Sequence, residues 1–325
     1  MRANAAILAA CLMAIVPGSA GPGGTAALAT DAATPAACGI GRDTIAALAE
    51  ATFPPARVSD AFLPDAAVHG SATAPDLDAP AWLEERASER AAIADAVTVV
   101  DALLLDGDAA LAVWTVTGNA PPEDAAAGDG ASDRAGAEPA PRRWHGIDLY
   151  RLDCGGGGGG GRIAEVWSLV QRIEDPAAMP LAVPPVRACA DPMPVRPEAD
   201  AAVRTWLVDG WSDGDLAAVD AIIDPGVAYH SVPWSETTGP AGIADAIEGT
   251  QAAFPDVRSV PDPAVIDGAW AGARWTSTGT NTGGEDATGR AATWTGIDVL
   301  RLACGKVVEI WSVEDTAAVE AQLGT

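Results

Sequence analysis

Asp298 and Glu309 are the side chains in this chain best placed for chemistry. They stand on two apolar segments, GIDVLRLA and KVVEIWS, joined by Cys304-Gly305. A two-residue turn there pairs Ala303 with Lys306, Leu302 with Val307, Leu300 with Glu309 and Asp298 with Trp311. Side chains alternate along a strand, so Asp298, Leu300, Leu302, Val307, Glu309 and Trp311 are expected on one face. Two carboxyls among Leu and Trp side chains lose hydration and repel each other, which raises at least one pKa. That is the setting of a general acid or base. The plainer alternative is that Asp298 bonds backbone at a bulge and Glu309 pairs with Arg301 or Arg274.

Other polar residues could meet them. His230 ends the short apolar run GVAYH, where a strand would deliver it as a base or a hydrogen-bond donor; a satisfied buried histidine fits the same pattern. His69 is its counterpart earlier in the chain, and His145 is expected to face away from Asp148. Trp294 and Trp311 flank Asp298 as lining, with packing as the default role of tryptophan. Trp234 follows Val232-Pro233 in a loop that could close over a pocket. Arg274 and Asn281 complete the candidate ligand contacts, although Asn281 also reads as a turn residue.

The elements that would position these groups occur twice. The frame W-x-G-I-D-x-x-R-L-x-C-G, followed by E-x-W-S, runs from Trp294 to Ser312 and again from Trp144 to Ser168. The chain is therefore an internal duplication. In the first copy the hairpin turn is swollen by Gly155 to Gly161. No helix and no Lys-Ser/Thr follow that tract, so it reads as a hairpin tip and not a phosphate cradle. Residues 120–142, rich in Ala, Gly, Asp and Pro, read as a loop insertion.

The second copy reads as helices over 198–211, 216–223 and 240–254, with a short strand at 227–230. A turn at Asp267-Gly268 and the hairpin follow. That order implies an α+β fold, with helices on one face of a curved sheet. The expected organisation is a signal peptide over 1–20 and a disordered segment over 21–37. A first domain spans 38–175, a proline-rich linker 176–197 and a second domain 198–325.

The N-terminal apolar run, Ala5 to Val16, is too short to span a bilayer. Gly18-Ser19-Ala20 offers a cleavage site, and Leu8 to Cys11 resembles a lipobox, so a secreted or extracytoplasmic protein is expected, with a lipid anchor on Cys11 as the alternative. The 325 residues carry a formal charge of −26. Nucleic acid is not the expected partner, because its phosphates require a basic footprint. Either high-salt adaptation or GC-rich coding accounts for the excess of acids. There are five cysteines, no C-x-x-C pair and three histidines, which argues against a zinc site. Cys38 and Cys189 each precede a copy, and Cys154 and Cys304 each sit in a hairpin turn. Equivalent positions in an exported chain imply Cys38–Cys154 and Cys189–Cys304 bridges.

The second copy resembles the SnoaL-like polyketide cyclases, or ester cyclases, of the nuclear transport factor 2-like cone fold. The resemblance rests on W-S-D-G-D (Trp211 to Asp215), His230, G-P-A-G-I (Gly239 to Ile243), F-P-D (Phe254 to Asp256) and R-W-T-x-T-G-T (Arg274 to Thr280). It continues through T-G-R (Thr288 to Arg290), G-I-D-x-x-R (Gly296 to Arg301), G-K-x-x-E-x-W (Gly305 to Trp311) and Q-L-G (Gln322 to Gly324). The first copy keeps the hairpin and His69 but lacks F-P-D and W-S-D-G-D, so it is similar in degenerate form.

The resemblance implies two tandem cone-shaped domains, each a curved antiparallel sheet with helices on its concave side. It also implies a pocket inside the cone and an acid/base Asp, matched by Asp298, working on an aldol-type ring closure without cofactor or metal. Asn281 stands where the family often has His, which departs from that chemistry. The expected function is binding of a small apolar or carbonyl-bearing molecule in the second-domain pocket, with ester cyclase or isomerase-type turnover. The competing class is a non-catalytic binding or scaffold protein. Convergence of Asp298, His230 and Asn281 on one void would favour the enzyme. The apolar outer faces of the two hairpins imply an intramolecular pseudo-dimer, hence a monomeric chain.

Overall fold

The computed structural model describes residues 38–71, 74–119, 141–155, 161–173, 194–232, 235–284 and 287–324. The chain divides into two compact units, with the first over Ala33–Met179 and the second over Pro180–Thr325. The signal peptide, the segment 21–37, the insertion over 120–140, most of the glycine tract and the linker over 176–193 lie outside the described residues, as do Cys11, Cys189 and Trp234.

The first unit runs α1 (Arg42–Ala49), α2 (Val58–Ala61), β1 (Phe62–His69), β2 (Leu77–Asp78) and α3 (Ala79–Ala91). Four long strands follow: β3 (Ala94–Asp106), β4 (Ala109–Asn119), β5 (Pro141–Asp153) and β6 (Arg162–Ile173). The sheet order is β2-β1-β6-β5-β4-β3. Asp78 caps α3 by accepting from the Ala81 amide at 2.8 Å, which satisfies one of the free donors of the first turn.

The second unit repeats the plan. It runs α4 (Arg196–Arg204), a π-helical continuation (Thr205–Ser212), α5 (Leu216–Ile222), β7 (Ile223–Val232), β8 (Ser235–Thr238) and α6 (Pro240–Ala253). Then come β9 (Arg258–Pro261), β10 (Val265–Asp267), β11 (Trp270–Thr280), β12 (Ala291–Ala303), β13 (Lys306–Glu314) and α7 (Thr316–Leu323). The order is β10-β11-β12-β13-β7-β8, with β9 paired to β11. The segment expected as one helix over 198–211 thus starts at Arg196 and widens to a π-helix from Thr205.

Both sheets are antiparallel except at one junction each. β1 runs parallel to β6, and β7 parallel to β13. In each unit a short strand after the first helices returns beside the last hairpin strand, which short-range reading of the sequence could not show. Cys304 and Gly305 both hold positive φ, 54° and 69°, as a type I′ hairpin turn requires. The core of the second unit lies between the helices and one sheet face, with Val203, Trp206, Ile243 and Ile247 against Ala273, Leu300 and Ile310.

Candidate functional site

The hairpin β12–β13 carries one extra residue. Ala303 pairs with Lys306 and Leu302 with Val307, as expected. The register then shifts, so that Arg301 opposes Glu309, Leu300 opposes Ile310 and Asp298 opposes Ser312. A bulge at Val308 reverses the facing of everything beyond it. The expected pairs Asp298–Trp311 and Leu300–Glu309 are therefore not formed. Glu309 and Trp311 pass to the outer face, and the two acids do not share a face. The first domain has the same bulge, between Arg151 and Leu152, so it belongs to the duplicated plan.

Asp298 lies on the inner face and is only 2% exposed. Ser312 Oγ donates to its Oδ1 at 2.7 Å, and Trp206 Nε1 donates to its Oδ2 at 2.6 Å. Burial pushes the carboxyl above its ordinary range, while the donors Trp275, Ser312 and Trp206 act in the opposite direction. Trp275 Nε1 is directed at the carboxyl but completes no hydrogen bond of ordinary geometry among the described residues. Trp275 opposes Gly296 across the sheet. Its indole lies over that glycine so closely that a Cβ there would come to 2.2 Å from the ring. The glycine of Gly-Ile-Asp thus makes room for the ring that approaches the aspartate.

A pocket opens beside Asp298. Trp211, Tyr229, Trp275 and Trp294 form its aromatic walls, and Ser231, Thr250, Ser259, Ser277 and Ser312 add hydroxyls. Leu207 and Val257 complete the apolar part, Glu314 is a second acid, and no Lys, Arg or His is among these lining residues. The free volume is about 40 Å³. That is room for a few waters, far below the roughly 300–1,000 Å³ of a site that encloses a drug-sized ligand. Tyr229 packs edge-on to Trp206 at 5.7 Å. Burial, and then the Asp298 charge, push its hydroxyl well above the usual phenol range.

Of the residues expected at the site, Asp298 and Trp294 line this pocket. His230 does not. β7 pairs Tyr229 with Ile310 and His230 with Trp311, so Tyr229 points inward and His230 outward. There His230 Nε2 lies 3.2 Å from Glu309 Oε1 and its ring stacks on Trp311 at 5.0 Å. Arg301 Nη2 meets Glu309 Oε2 at 2.6 Å. His230, Glu309 and Trp311 therefore form a separate outer cluster. His69 repeats it in the first domain, 2.9 Å from Glu165 and stacked on Trp167.

Arg274 also faces outward and pairs with Asp262 at 3.0 Å. Asn281 is structural: it donates to the Ala253 carbonyl at 3.3 Å and accepts from the Thr288 amide at 2.7 Å, tying a loop to the end of α6. Cys38 and Cys154 are joined with their Cα atoms 4.8 Å apart. Cys304 is disulfide-bonded. Among the described residues no three His, Cys, Asp or Glu side chains gather as a metal site requires.

The first domain contains the same aspartate in a different state. Asp148 is fully buried and accepts from Ser168 Oγ at 2.7 Å, Trp114 Nε1 at 3.0 Å and Tyr150 at 3.2 Å. Arg86, from α3, adds Nη1 at 3.1 and 3.2 Å from its two oxygens. The Arg86 guanidinium lies 4.2 Å from the centre of the Trp114 ring. Trp114 rests on Gly146 just as Trp275 rests on Gly296. Tryptophan, glycine, aspartate and serine thus recur in both domains, and among the described residues only the first adds a cation.

Sequence reasoning missed Trp206, Trp211, Trp275, Tyr229 and Ser312. Two signals were present. The serine of E-x-W-S recurs as Ser168 and Ser312, and W-T-x-T-G recurs at Trp114 and Trp275.

Residues 201–323 match the family model described as SnoaL-like polyketide cyclase. No curated protein matches the chain. Among solved structures, AclR from Streptomyces galilaeus is 26% identical, with 40% of this chain and 87% of that chain covered and a TM-score of 0.37. TsrD from Streptomyces laurentii is 24% identical, over 40% and 98% of the two chains, with a TM-score of 0.37. An LEH-like epoxide hydrolase from M. tuberculosis is 18% identical, over 39% and 90%, with a TM-score of 0.33. Residues 201–323 of this chain are thus similar to the SnoaL-like polyketide cyclases.

Proposed function

We propose that the second domain binds a small organic molecule beside Asp298, and that the chain does so outside the cytoplasm. The observation that carries the binding reading is a buried carboxyl in an aromatic pocket with no cation beside it among the described residues. A buried ionisable group without a counter-charge is costly to the fold and is commonly kept for a site. Export is supported by the Cys38–Cys154 bridge, since such bonds persist in oxidising compartments. Native mass spectrometry of gently purified protein tests the binding reading. A retained mass on the wild type that is absent from Asp298→Asn supports it, and the same mass on both counts against it.

Binding ranks ahead of turnover because His230 and Asn281 do not join Asp298 at the pocket. One observation favours a second reading, acid/base turnover of a carbonyl-bearing molecule: the carboxyl is raised toward a value useful for proton transfer. Deuterium exchange at the α-carbon of a simple ketone, followed by NMR, tests that reading. Exchange that is catalysed by the wild type and lost in Asp298→Asn supports it.

A further inference from the structure

The first domain shows what the second-domain aspartate lacks. In the first domain a guanidinium fills the space between an indole and a carboxylate: Arg86 reaches both oxygens of Asp148 and lies 4.2 Å over Trp114. Such a cation gains from the ring face as well as from the charge. The second domain keeps the indole, the glycine beneath it and the carboxyl, as Trp275, Gly296 and Asp298, in the same register. Its helix α6, PAGIADAIEGTQAA, contains no basic residue, and none of the residues lining the pocket is basic.

We infer that the molecule bound by the second domain presents a cationic head, a guanidinium or an ammonium, to Asp298 and the face of Trp275. This rests on the pocket reading above and names its ligand class. Four aromatic rings and two carboxyls, Asp298 and Glu314, line a void of about 40 Å³. That volume suits a small head group, with the rest of the molecule lying toward the open side. Aromatic walls with an acid are the usual receptor for an organic cation.

The buried Nε1 of Trp275, which completes no hydrogen bond of ordinary geometry among the described residues, is the counterpart of the Trp114 donor that reaches Asp148 at 3.0 Å. It can close on Asp298 once the carboxylate is charged. Pairing favours the carboxylate: any proton on the carboxyl leaves for solvent when the head arrives as a cation, and passes to the head when it arrives as a neutral amine. In both cases the bound state is a carboxylate paired with a cation.

The test is an NMR titration of the full-length protein with 15N-labelled indoles. Methylguanidinium is compared with N-methylurea, which has nearly the same shape and no charge. The expected result is saturable shifts of the Trp275 and Trp211 resonances with methylguanidinium, and at least tenfold weaker binding of N-methylurea. The methylguanidinium affinity should rise with pH and should fall at least tenfold in Asp298→Asn. Trp→Phe variants assign the resonances, so the probe comparison on the wild type stands even if Asp298→Asn does not fold. Equal or tighter binding of N-methylurea at the same resonances overturns the cationic head and leaves the pocket reading intact. If neither probe moves those resonances, the cationic head is overturned, and a native mass spectrum without a ligand would remove the pocket reading as well.

Discussion

Arg86 Nη1 lies 3.1 Å from Asp148 Oδ2 with both side chains buried, whereas Asp298, the same residue of the duplicated frame, has only neutral donors among the described residues. The same position of the duplicated frame thus has different partners in the two domains. In the first domain the carboxylate is compensated from within, and a guanidinium occupies the space beside the indole. In the second, the carboxyl depends on Trp206 and Ser312 and has a pocket beside it.

Breaking the first-domain pair should be costly. Arg86→Met leaves a buried carboxylate that keeps its three neutral donors and has no counter-charge, and such losses run to about 3–5 kcal/mol. Adding Asp148→Asn should recover part of that loss. A double-mutant cycle by denaturant unfolding, following the transition of the first domain, measures the coupling. Additive losses would show that the two side chains act independently.

Asp298 should make stability fall as pH rises. Its folded pKa is raised by burial, so between the ordinary carboxylate value and the folded value the folded chain holds more protons than the unfolded one. Stability then declines with pH through that interval, from about pH 4 upward. Asp298→Asn removes the dependence, so the variant should gain on the wild type as pH increases. Calorimetry of both proteins over a pH series reads the difference, and a constant gap would show that Asp298 does not titrate in the fold.

Gly296→Ala should disturb the site through packing alone. Its Cβ would meet the Trp275 ring at 2.2 Å, and overpacking of this kind costs about 1–3 kcal/mol. The displaced indole should change the pocket's tryptophan fluorescence. An alanine variant with unchanged melting and emission would show that the ring is free to move.

Peptide mapping without reduction should recover Cys38 linked to Cys154, and Cys304 linked to Cys189. Replacing Cys38 and Cys154 together by serine should cost about 2–5 kcal/mol, as expected for a bridge closing a long loop. Recovery of Cys304 with Cys11 would break the equivalence of the two copies.

Much was legible in the residues themselves, because it depended on local pattern or on repetition. The duplicated frame from Trp144 and from Trp294 marked two copies of one domain. Alternation and turn residues located the hairpins, and matching positions paired Cys38 with Cys154. The motif run from Trp211 to Gly324 pointed to the family that residues 201–323 match. Asp298 was singled out because an acid amid Leu and Trp is expensive wherever it is placed.

Tertiary structure decided which groups meet that acid. One extra residue at Val308 reverses strand facing, so it moved Glu309 and Trp311 to the outer side and set Ser312 opposite Asp298. The parallel pairing of β7 with β13 turned Tyr229 inward and His230 outward. Trp206 reaches Asp298 from 92 positions away, and Arg86 reaches Asp148 from 62. Contacts at such separations follow from how helices settle on a sheet, and a side-chain period of two carries no record of a bulge, because a strand reads alike on either side of it.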